Sequence, residues 1–279
     1  MRRISDQAIQ RFRSYLAEEE KAEATIQKYI RDVTAFQKWL HGMPVEKSTV
    51  LRYKDELKSQ YAARSVNSIL SSINRFFDFI MWQDCKVKQL CIQKQIFAEE
   101  EKELTKKECE KLLRAAFNIK NERLYFLMQT ICATGIRVSE LRYITVEAVE
   151  KRQTKIHCKG KIRTVLLPGQ LCHSLRRYIK KNKIKSGSIF VTKSGKPLDR
   201  SNIWADMKKL CAIAGVAKEK VFPHNLRHLF AREFYSIDKD IAHLADILGH
   251  TNVNTTRIYV MESCASHRRR MEKMTLLRC

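Results

Sequence analysis

The side chains best suited to chemistry lie in the last third of the chain. His224 and Arg227 are three residues apart, so a helix beginning after Pro223 would place an imidazole and a guanidinium on one face and aim them at one point. The sequence Leu-Gly-His ends at His250, and Tyr259 follows nine residues later. Taken singly, such a His–Arg pair is usually a surface pair, and such a tyrosine is usually a half-buried aromatic residue. Their order within a strongly basic chain favours a shared site.

Apolar residues at helical intervals accompany these polar groups. They are Leu226, Phe230, Phe234, Ile241, Leu244, Ala245 and Leu248. This spacing predicts two packed helices, with the second ended by Gly249 and His250 in the turn that follows. The polar side chains would therefore project from a packed scaffold.

The charge of the chain predicts a polyanionic partner. Its 279 residues include 54 Lys and Arg against 30 Asp and Glu, which leaves a formal net charge of +24. Such an excess favours phosphate contacts with release of counterions, and on charge alone the partner can be DNA, RNA or an anionic membrane. No apolar run approaches the length of a membrane span, and the first residues lack the apolar region of a secretory signal. We therefore expect a soluble, cytoplasmic protein.

The cysteines and acidic residues suggest no metal centre. The nine cysteines are scattered, and none forms a Cys-x-x-Cys pair, which argues against a zinc site or a secreted disulfide framework. We interpret them as reduced thiols, mostly in the core. The chain also lacks an Asp/Glu cluster suited to two Mg²⁺ ions and a glycine-rich phosphate loop followed by Lys-Ser or Lys-Thr. We expect neither a metal ion nor a nucleotide cofactor.

Four amphipathic helices are predicted in the first part of the chain. Ser5 can cap the first and Thr25 the second, which we expect to stop at Gly42. A third is predicted over residues 48–57, and Ser65 opens a fourth. Helices of this size form a small bundle. The basic residues between their apolar stripes would by default form a solvated face: Arg11, Arg13, Lys28, Arg31, Lys38, Arg52, Lys54, Lys58, Arg64 and Arg75.

A domain boundary is predicted near residues 93–103, where the sequence becomes dense in charge and loses helical periodicity. Thr105, with a glutamate three residues later, then forms a capping-box pattern that starts a new helix. We expect an N-terminal domain over residues 1–95, a linker over 96–103 and a second domain over 104–279. The whole chain is expected to be mainly α-helical with a small β-sheet.

The helices of the second domain are marked by glycines. Gly135 allows a sharp bend after an apolar helix, and Arg137 follows at the start of the next helix. Asp199 or Ser201 opens a later helix, which Gly215 ends.

Strands are predicted in the middle of this domain. Residues 154–158 and 162–167 flank the short turn Lys159-Gly160-Lys161, a pattern typical of a hairpin. A third strand is predicted over residues 188–191.

The polar motifs resemble those of the tyrosine recombinases of the phage integrase family, which includes the Xer recombinases. That family's pattern is His-x-x-Arg, then Leu-Gly-His or Leu-Gly-Trp, then Thr-Thr-x-x-Tyr. Here it is found at positions 224–227, 248–250 and 255–259, and the string from Ala133 to Leu141 is similar to the family's first arginine motif. The resemblance is strong over about residues 104–259 and covers the first domain only by its helical plan.

The resemblance implies an N-terminal SAM-like helical bundle that clamps one side of a DNA duplex, followed by a catalytic domain. In such an enzyme Arg137 and Arg227 would neutralise the scissile phosphate, and Tyr259 would attack it to form a 3′-phosphotyrosyl bond. His224 would be the proton acceptor or a phosphate ligand, and His250 would hydrogen-bond the phosphate.

The resemblance also extends to the hairpin and the basic surface. The family's catalytic lysine immediately precedes a glycine, which selects Lys159 as general acid, with Lys161 as the alternative. Glu140 lies one turn after the first of the two arginines and is close enough to orient or support them. Contacts to DNA are expected from the region of Arg64 and Arg75, and Lys161 is a further candidate DNA contact.

The partner implied by the resemblance is double-stranded DNA, on which the chain would form a tetramer, alone or with a second recombinase. The basic tail that includes Arg268 to Arg270 is expected either to be loosely ordered or to pack into a neighbouring protomer. A type IB topoisomerase would use a closely similar set of residues on any duplex. A catalytically silent DNA-binding regulator would keep the charge, with little reason to keep the polar constellation. The prediction is a site-specific recombinase.

Two positions depart from the family's pattern. Asn225 stands where Asp or Lys is more frequent, and the turn over residues 236–240 lacks the glycine often found there. Neither departure touches a predicted catalytic role.

Overall fold

The computed structural model describes residues 2–92, 100–158, 161–192, 194–260, 268 and 271–273, with the backbone alone for Glu100, Cys158 and Lys161. The chain divides into two compact units, Met1–Lys94 and Gln95–Cys279. Both are mainly helical, and the second also contains a two-stranded sheet, which confirms the predicted fold class. None of the helices in the described ranges combines the length and hydropathy needed to cross a membrane.

Helices of the first unit are α1 (Asp6–Glu18), α2 (Glu23–Trp39), α3 (Lys47–Gln60) and α4 (Ala63–Phe79), followed by a 3₁₀ turn at Gln83–Cys85. Ser5 caps α1, as predicted. The predicted caps Thr25 and Ser65 are wrong, because both residues lie within the first turns of α2 and α4. Residues of high helix propensity precede each hydroxyl, so each helix begins earlier.

Two further boundaries differ from the prediction. Helix α2 ends at Trp39, and Gly42 lies in the following loop with φ +81°. Helix α3 extends beyond residues 48–57 at both ends. The core of this unit is mainly aliphatic, and the rings of Phe12, Phe36, Phe76 and Phe77 lie fully buried within it.

Helices of the second unit are α5 (Lys106–Asn118), α6 (Glu122–Thr134), α7 (Val146–Lys151), α8 (Gly169–Lys181), α9 (Arg200–Ala214), α10 (Pro223–Asp238), α11 (Ile241–Leu248) and α12 (Val253–Arg257). Short 3₁₀ helices lie at Glu100–Lys102, Val138–Tyr143 and Lys218–Lys220. The capping box at Thr105, the cap at Asp199 and the helix end at Gly215 are as predicted. Arg137 was expected to begin an α-helix, but it is the N-cap of a 3₁₀ helix.

The sheet is an antiparallel hairpin of β1 (Gln153–Cys158) and β2 (Lys161–Leu166). Lys161 pairs with Cys158, so it is a strand residue and not part of the turn as predicted. The connection that remains is Lys159-Gly160, which lies outside the described residues.

The third strand predicted over residues 188–191 is wrong. Among the described residues this segment makes two isolated bridges, Ser188 with Thr145 and Val191 with Pro197. Ser188 meets the residue before α7 at a single position, and Val191 pairs with a residue of the turn that follows residues 188–191. Neither bridge extends into a ladder. A strand-like composition here serves core packing, because Ile189 and Phe190 are buried.

Candidate active site

Helix α10 presents the first pair of predicted site residues. Pro223 occupies its first position, where a fixed φ suits the helix and no amide donor is needed. His224 and Arg227 follow within one turn. His224 is exposed, whereas Arg227 is buried, with 1% of its surface accessible.

The departure at Asn225 has a structural reason. Its side-chain amide is buried and donates to the carbonyls of Lys102 and Lys220, each at 2.8 Å. An aspartate carboxylate could not donate either hydrogen bond. The asparagine therefore anchors the start of α10 to two preceding segments of the same unit.

The Arg227 guanidinium joins the segments that carry the other site residues. It donates to the carbonyl of Gly135 and to that of Leu248, the latter at 2.8 Å. One of its nitrogens also lies 2.9 Å from Nε2 of His250. Gly135 precedes Arg137 by two residues, so one buried side chain holds both the first arginine segment and the histidine turn.

Gly135 is required at the bend that leads to Arg137. It ends α6 with φ +61°, a conformation that is unfavourable for residues other than glycine. A Cβ there would stand 2.4 Å from a ring atom of Phe230. The chain therefore turns in direct contact with α10.

Glu140 links Arg137 to a residue that the sequence analysis missed. Its carboxylate accepts from the Arg137 amide at 2.9 Å and from the Arg137 guanidinium at 3.1 Å. It also accepts from the guanidinium of Arg163, on β2, at 2.6 Å. Burial by itself raises the pKa of Glu140, but the Arg137 amide and the Arg163 charge outweigh it, so the pKa is lowered. The carboxylate is therefore ionised and holds both arginines.

The partners of His250 define its tautomer. The ring lies in the turn after Gly249, which ends α11 with φ +66°. A guanidinium can only donate, so Nε2 of His250 accepts from Arg227. The proton is then on Nδ1, which donates to the hydroxyl of the buried Thr256 at 2.8 Å.

Tyr259 follows α12 and packs among imidazoles, with 5% of its surface exposed. Its ring centroid lies 4.3 Å from that of His228, 5.5 Å from that of His250 and 5.8 Å from that of His224. The His250 and Tyr259 rings are nearly parallel, at 13°. Tyr259 also interacts with the Arg227 side chain through a hydrogen bond, and it packs in an apolar cluster that includes Leu244.

Positive charge dominates this group. Burial, and next the charge of Arg137, lower the pKa of Arg227 to about 10, while Tyr259 acts in the opposite direction. Burial, reinforced by neighbouring charges, lowers the pKa of both His228 and His250 to about 4. Although His224 is exposed as a residue, contact of its ring with its aromatic neighbours partly buries it and lowers its pKa. The imidazoles are therefore neutral near pH 7, and the positive charge of this group resides on the arginines.

The structure thus brings together Arg137, Glu140, His224, Arg227, His250 and Tyr259. Lys159 lies outside the described residues, and the side chain of Lys161 is likewise not described. The other two predicted residues lie in the first unit. Arg64 is exposed, without a side-chain partner among the described residues, whereas Arg75 donates to Tyr15 and Glu19 at 2.8 and 2.9 Å.

Three contributors were not predicted: Arg163, His228 and Thr256. His228 lies four residues after His224, so helical spacing could have placed it on the same face. Thr256 belongs to the Thr-Thr motif, but its contact with His250 could not be read from the motif. Nothing local distinguishes Arg163 from the other basic residues of the hairpin.

The described residues contain no group of three or more His, Cys, Asp or Glu side chains arranged to hold a metal ion. The described cysteines whose state is defined are free thiols, and four of the six are buried. Cys109 and Cys132 lie with their sulfur atoms 3.2 Å apart, as thiols in contact.

Comparison with known proteins finds likeness along both units. The sequence matches the phage integrase family over residues 102–265 and the N-terminal SAM-like domain of phage integrases over residues 9–84. It is 28% identical to tyrosine recombinase XerA of Pyrococcus horikoshii over 284 residues, covering 98% of this chain and 95% of that protein.

Solved structures share the fold. The XerH site-specific recombinase, in a post-cleavage complex with palindromic difH substrate, is similar with a TM-score of 0.74 and 19% identity, over 88% of this chain and 78% of that one. A lambda integrase tetramer bound to a Holliday junction gives a TM-score of 0.73 and 16% identity, over 91% and 76% of the two chains. Because the family match over residues 102–265 spans more than half of its length, this chain belongs to the phage integrase family.

Proposed function

We propose that this chain is a tyrosine recombinase that catalyses site-specific DNA recombination, cutting and rejoining strands through a covalent bond to Tyr259. The observation that carries the proposal is the meeting of Arg227 and two predicted catalytic histidines around the ring of this tyrosine, with the charge of Arg137 acting on all three. Membership of the phage integrase family supports it. So do the relatives, which are recombinases and, in the structures described above, are bound to DNA.

The arginines provide the binding site for the scissile phosphate. A phosphodiester is anionic, and charge grows on its non-bridging oxygens as a nucleophile approaches. Arg137, whose side chain is 38% exposed, can reach an incoming phosphate, and Arg227 offers a second guanidinium at the base of the site. Planar guanidinium groups bind such oxygens in pairs and neutralise them.

The covalent step exchanges one phosphate ester for another. The Tyr259 oxygen forms a bond to phosphorus, and the bond from phosphorus to the 5′ oxygen breaks. A phenol holds its proton near neutral pH, so that proton must leave during attack. We assign this proton to His224, whose position matches the family's motif and whose neutral ring lies 5.8 Å from that of Tyr259, centroid to centroid. Lys159 donates a proton to the departing 5′ oxygen, and a 5′ hydroxyl can later reverse the reaction.

His250 changes partner when the phosphate binds. In the free protein its Nε2 accepts from Arg227 and cannot donate. A phosphate oxygen that takes the Arg227 hydrogen bond releases Nε2, and its negative charge favours protonation of the ring. The resulting imidazolium donates to the phosphate and remains held by Thr256.

The two domains divide the work of the proposed complex with DNA. The first domain, over residues 1–95, clamps the duplex, and the domain over residues 104–279 carries the chemistry. Four chains assemble on two DNA sites, with or without a second recombinase, in the cytoplasm. The net charge of +24 favours this partner through counterion release.

The test is a suicide duplex, nicked near the cleavage point so that the short 5′ product diffuses away. We expect a denaturation-resistant protein–DNA band from the wild type in EDTA and none from Tyr259→Phe. Tyr235→Phe is the matched control, because Tyr235 packs beside the same apolar cluster and should leave the band intact. An adduct that persists in Tyr259→Phe refutes the assignment. Equal cleavage of any duplex sequence would instead indicate a type IB topoisomerase.

A further inference from the structure

Arg163 has a partly buried guanidinium on a strand at the edge of the site. It is the third residue of β2, and 14% of its side chain is exposed. One nitrogen donates to Glu140 at 2.6 Å and another to the carbonyl of Ile247 at 2.8 Å. Glu140 precedes the hairpin in the sequence by more than ten residues, and Ile247 follows it by about 80. The side chain therefore bridges two separate segments of the site.

We propose that Arg163 is a positioning residue for DNA cleavage, which sets Arg137 and His250 relative to each other through Glu140 and the end of α11. The inference rests on the proposed function and extends it to a residue outside the catalytic group. Arg163 acts through its neighbours and does not contact the phosphate.

The first half of the bridge concerns Arg137. Glu140 is 2% exposed, and its two oxygens serve both the backbone and the guanidinium of Arg137. A carboxylate buried to this degree needs charged partners to stay ionised and fixed. Arg163 is the better buried of its two guanidinium partners, with 14% of the side chain exposed against 38% for Arg137. It therefore fixes the carboxylate that in turn orients the more exposed arginine, Arg137.

The second half concerns His250. The last carbonyls of a helix lack partners within it, and Arg163 satisfies that of Ile247 at the end of α11. Gly249 then passes against the arginine stem, where a Cβ would stand 2.3 Å from Cδ of Arg163. The glycine is thus needed both for its positive φ and for this close approach. The turn that carries His250 consequently packs directly against the Arg163 side chain.

A purely structural role explains these contacts less well. Buried ion pairs are seldom better for stability than well-packed apolar residues. Arg163 also leaves its own Nε without a partner among the described residues. The ion pair is therefore better explained by its effect on the positions of the neighbouring site residues than by its contribution to stability. Arg163 lies four residues after Lys159, so the same anchor restrains the strand next to that predicted general acid.

The experiment compares Arg163→Met, which keeps the length of the stem, with Arg163→Lys and with Lys155→Met. Lys155 is exposed on β1 of the same hairpin and serves as the matched control. Single-turnover adduct formation on the suicide duplex at saturating protein measures the chemistry, and gel shifts measure affinity. We expect Arg163→Met to slow cleavage about 100-fold, with affinity changed by less than about three-fold. Arg163→Lys should recover about ten-fold of this loss, because one ammonium can replace only one contact.

A modified substrate separates positioning from general damage. A methylphosphonate at the scissile position removes the oxygen charge that an arginine neutralises, so it should reduce the defect of Arg137→Ala. If Arg163 acts through Arg137, the defect of Arg163→Met shrinks on the same substrate. Arg163→Met cleavage at the wild-type rate, or a defect that methylphosphonate leaves unchanged, would overturn the inference. Should Arg163→Met fail to fold, Arg163→Lys decides, and a wild-type rate there has the same consequence.

A readout that does not depend on activity distinguishes this inference from the proposed function. In ¹⁵N spectra of the full chain, the His250 imidazole should report a proton on Nδ1 in the wild type and in Lys155→Met. It should change in Arg163→Met, because the turn loses its anchor. An unchanged His250 signal in Arg163→Met would contradict the positioning role. Absence of a Tyr259-dependent adduct from the wild type would refute the proposed function and leave this spectroscopic test standing.

Discussion

At the scale of single residues, His228 and His250 lie against Tyr259 with their pKa lowered to about 4, chiefly by burial. In the unfolded chain an imidazole titrates near 6.5. Between these values the unfolded chain binds protons that the folded chain does not. Stability is thus unaffected by these groups above about pH 6.5 and falls as the pH drops toward 4.

Replacing His228 with Gln should weaken this pH dependence. At pH 5 one such histidine costs up to about 2 kcal/mol of unfolding free energy relative to pH 7.5, and the variant is spared that cost. The measurement is the urea unfolding of the second unit at both pH values. His173→Gln, at an exposed position of α8, is the control and should keep the wild-type difference. A His228→Gln protein that loses as much stability as the wild type would count against neutral burial.

At the scale of elements, α10 and α11 end with the same backbone conformation but different residues. Lys239 follows α10 with φ +57°, and Gly249 follows α11 with φ +66°. Residues other than glycine are strained in this conformation, because their Cβ crowds the backbone. The missing glycine noted in the sequence is therefore a real cost at the first helix end. At the second end, glycine is required by the Arg163 stem as well.

Lys239→Gly should stabilise the protein by about 1 kcal/mol, because glycine relieves the strain of the positive φ. The lysine also lies 5.4 Å from the Tyr235 ring, so Lys239→Ala serves to remove that contact without relieving the backbone. Denaturant unfolding of the full chain measures both variants. Equal stabilities of the Gly and Ala variants would show that backbone strain is not the cause.

Gly249→Ala should have the opposite effect. The added Cβ meets Cδ of Arg163 at 2.3 Å in a backbone conformation that alanine disfavours. We expect a loss of about 2 kcal/mol in unfolding free energy and a weaker adduct band on the suicide duplex. Gly215→Ala, which also has a positive φ of +61° but open space around it, is the control for strain alone. Equal effects of the two substitutions would rule out the contact with Arg163.

At the scale of the whole molecule, the net charge of +24 comes from basic side chains that differ in their protein contacts. Arg64 is exposed, with no side-chain partner among the described residues, so it can meet a phosphate at no cost in protein contacts. Arg75 must give up Glu19, at 2.9 Å, to do the same. Of the two predicted DNA contacts in the first unit, we therefore expect Arg64 to contribute more to affinity.

Arg64→Ala should weaken binding to duplex DNA several-fold and reduce the slope of log affinity against log salt by about one. Arg75→Ala should change the slope less and instead lower the stability of the first unit by up to about 1 kcal/mol. Fluorescence anisotropy across a salt series gives the slopes. A wild-type slope in Arg64→Ala would remove Arg64 from the DNA interface.

The sequence by itself determined the features that depend on local spacing. Helical periodicity gave the predominantly α-helical class, the hairpin pattern gave the small sheet, and the order of motifs from Arg137 to Tyr259 indicated the family. These signals are local because a helix face or a hairpin is set by neighbours a few residues apart. Caps were predicted where the capping side chain had no competitor, as at Ser5, and missed where helix-forming residues came first, as at Thr25.

The tertiary structure alone decided how the site is held. Arg227 donates to a carbonyl 92 residues earlier, and Arg163 reaches a carboxylate 23 residues earlier and a carbonyl 84 residues later. No periodicity encodes such pairings, because they arise only when separate elements pack and bury groups that must then find partners. The neutral state and the tautomer of His250 follow from the same packing. Spacing selected the chemical groups, and burial gave them their charge states and orientation.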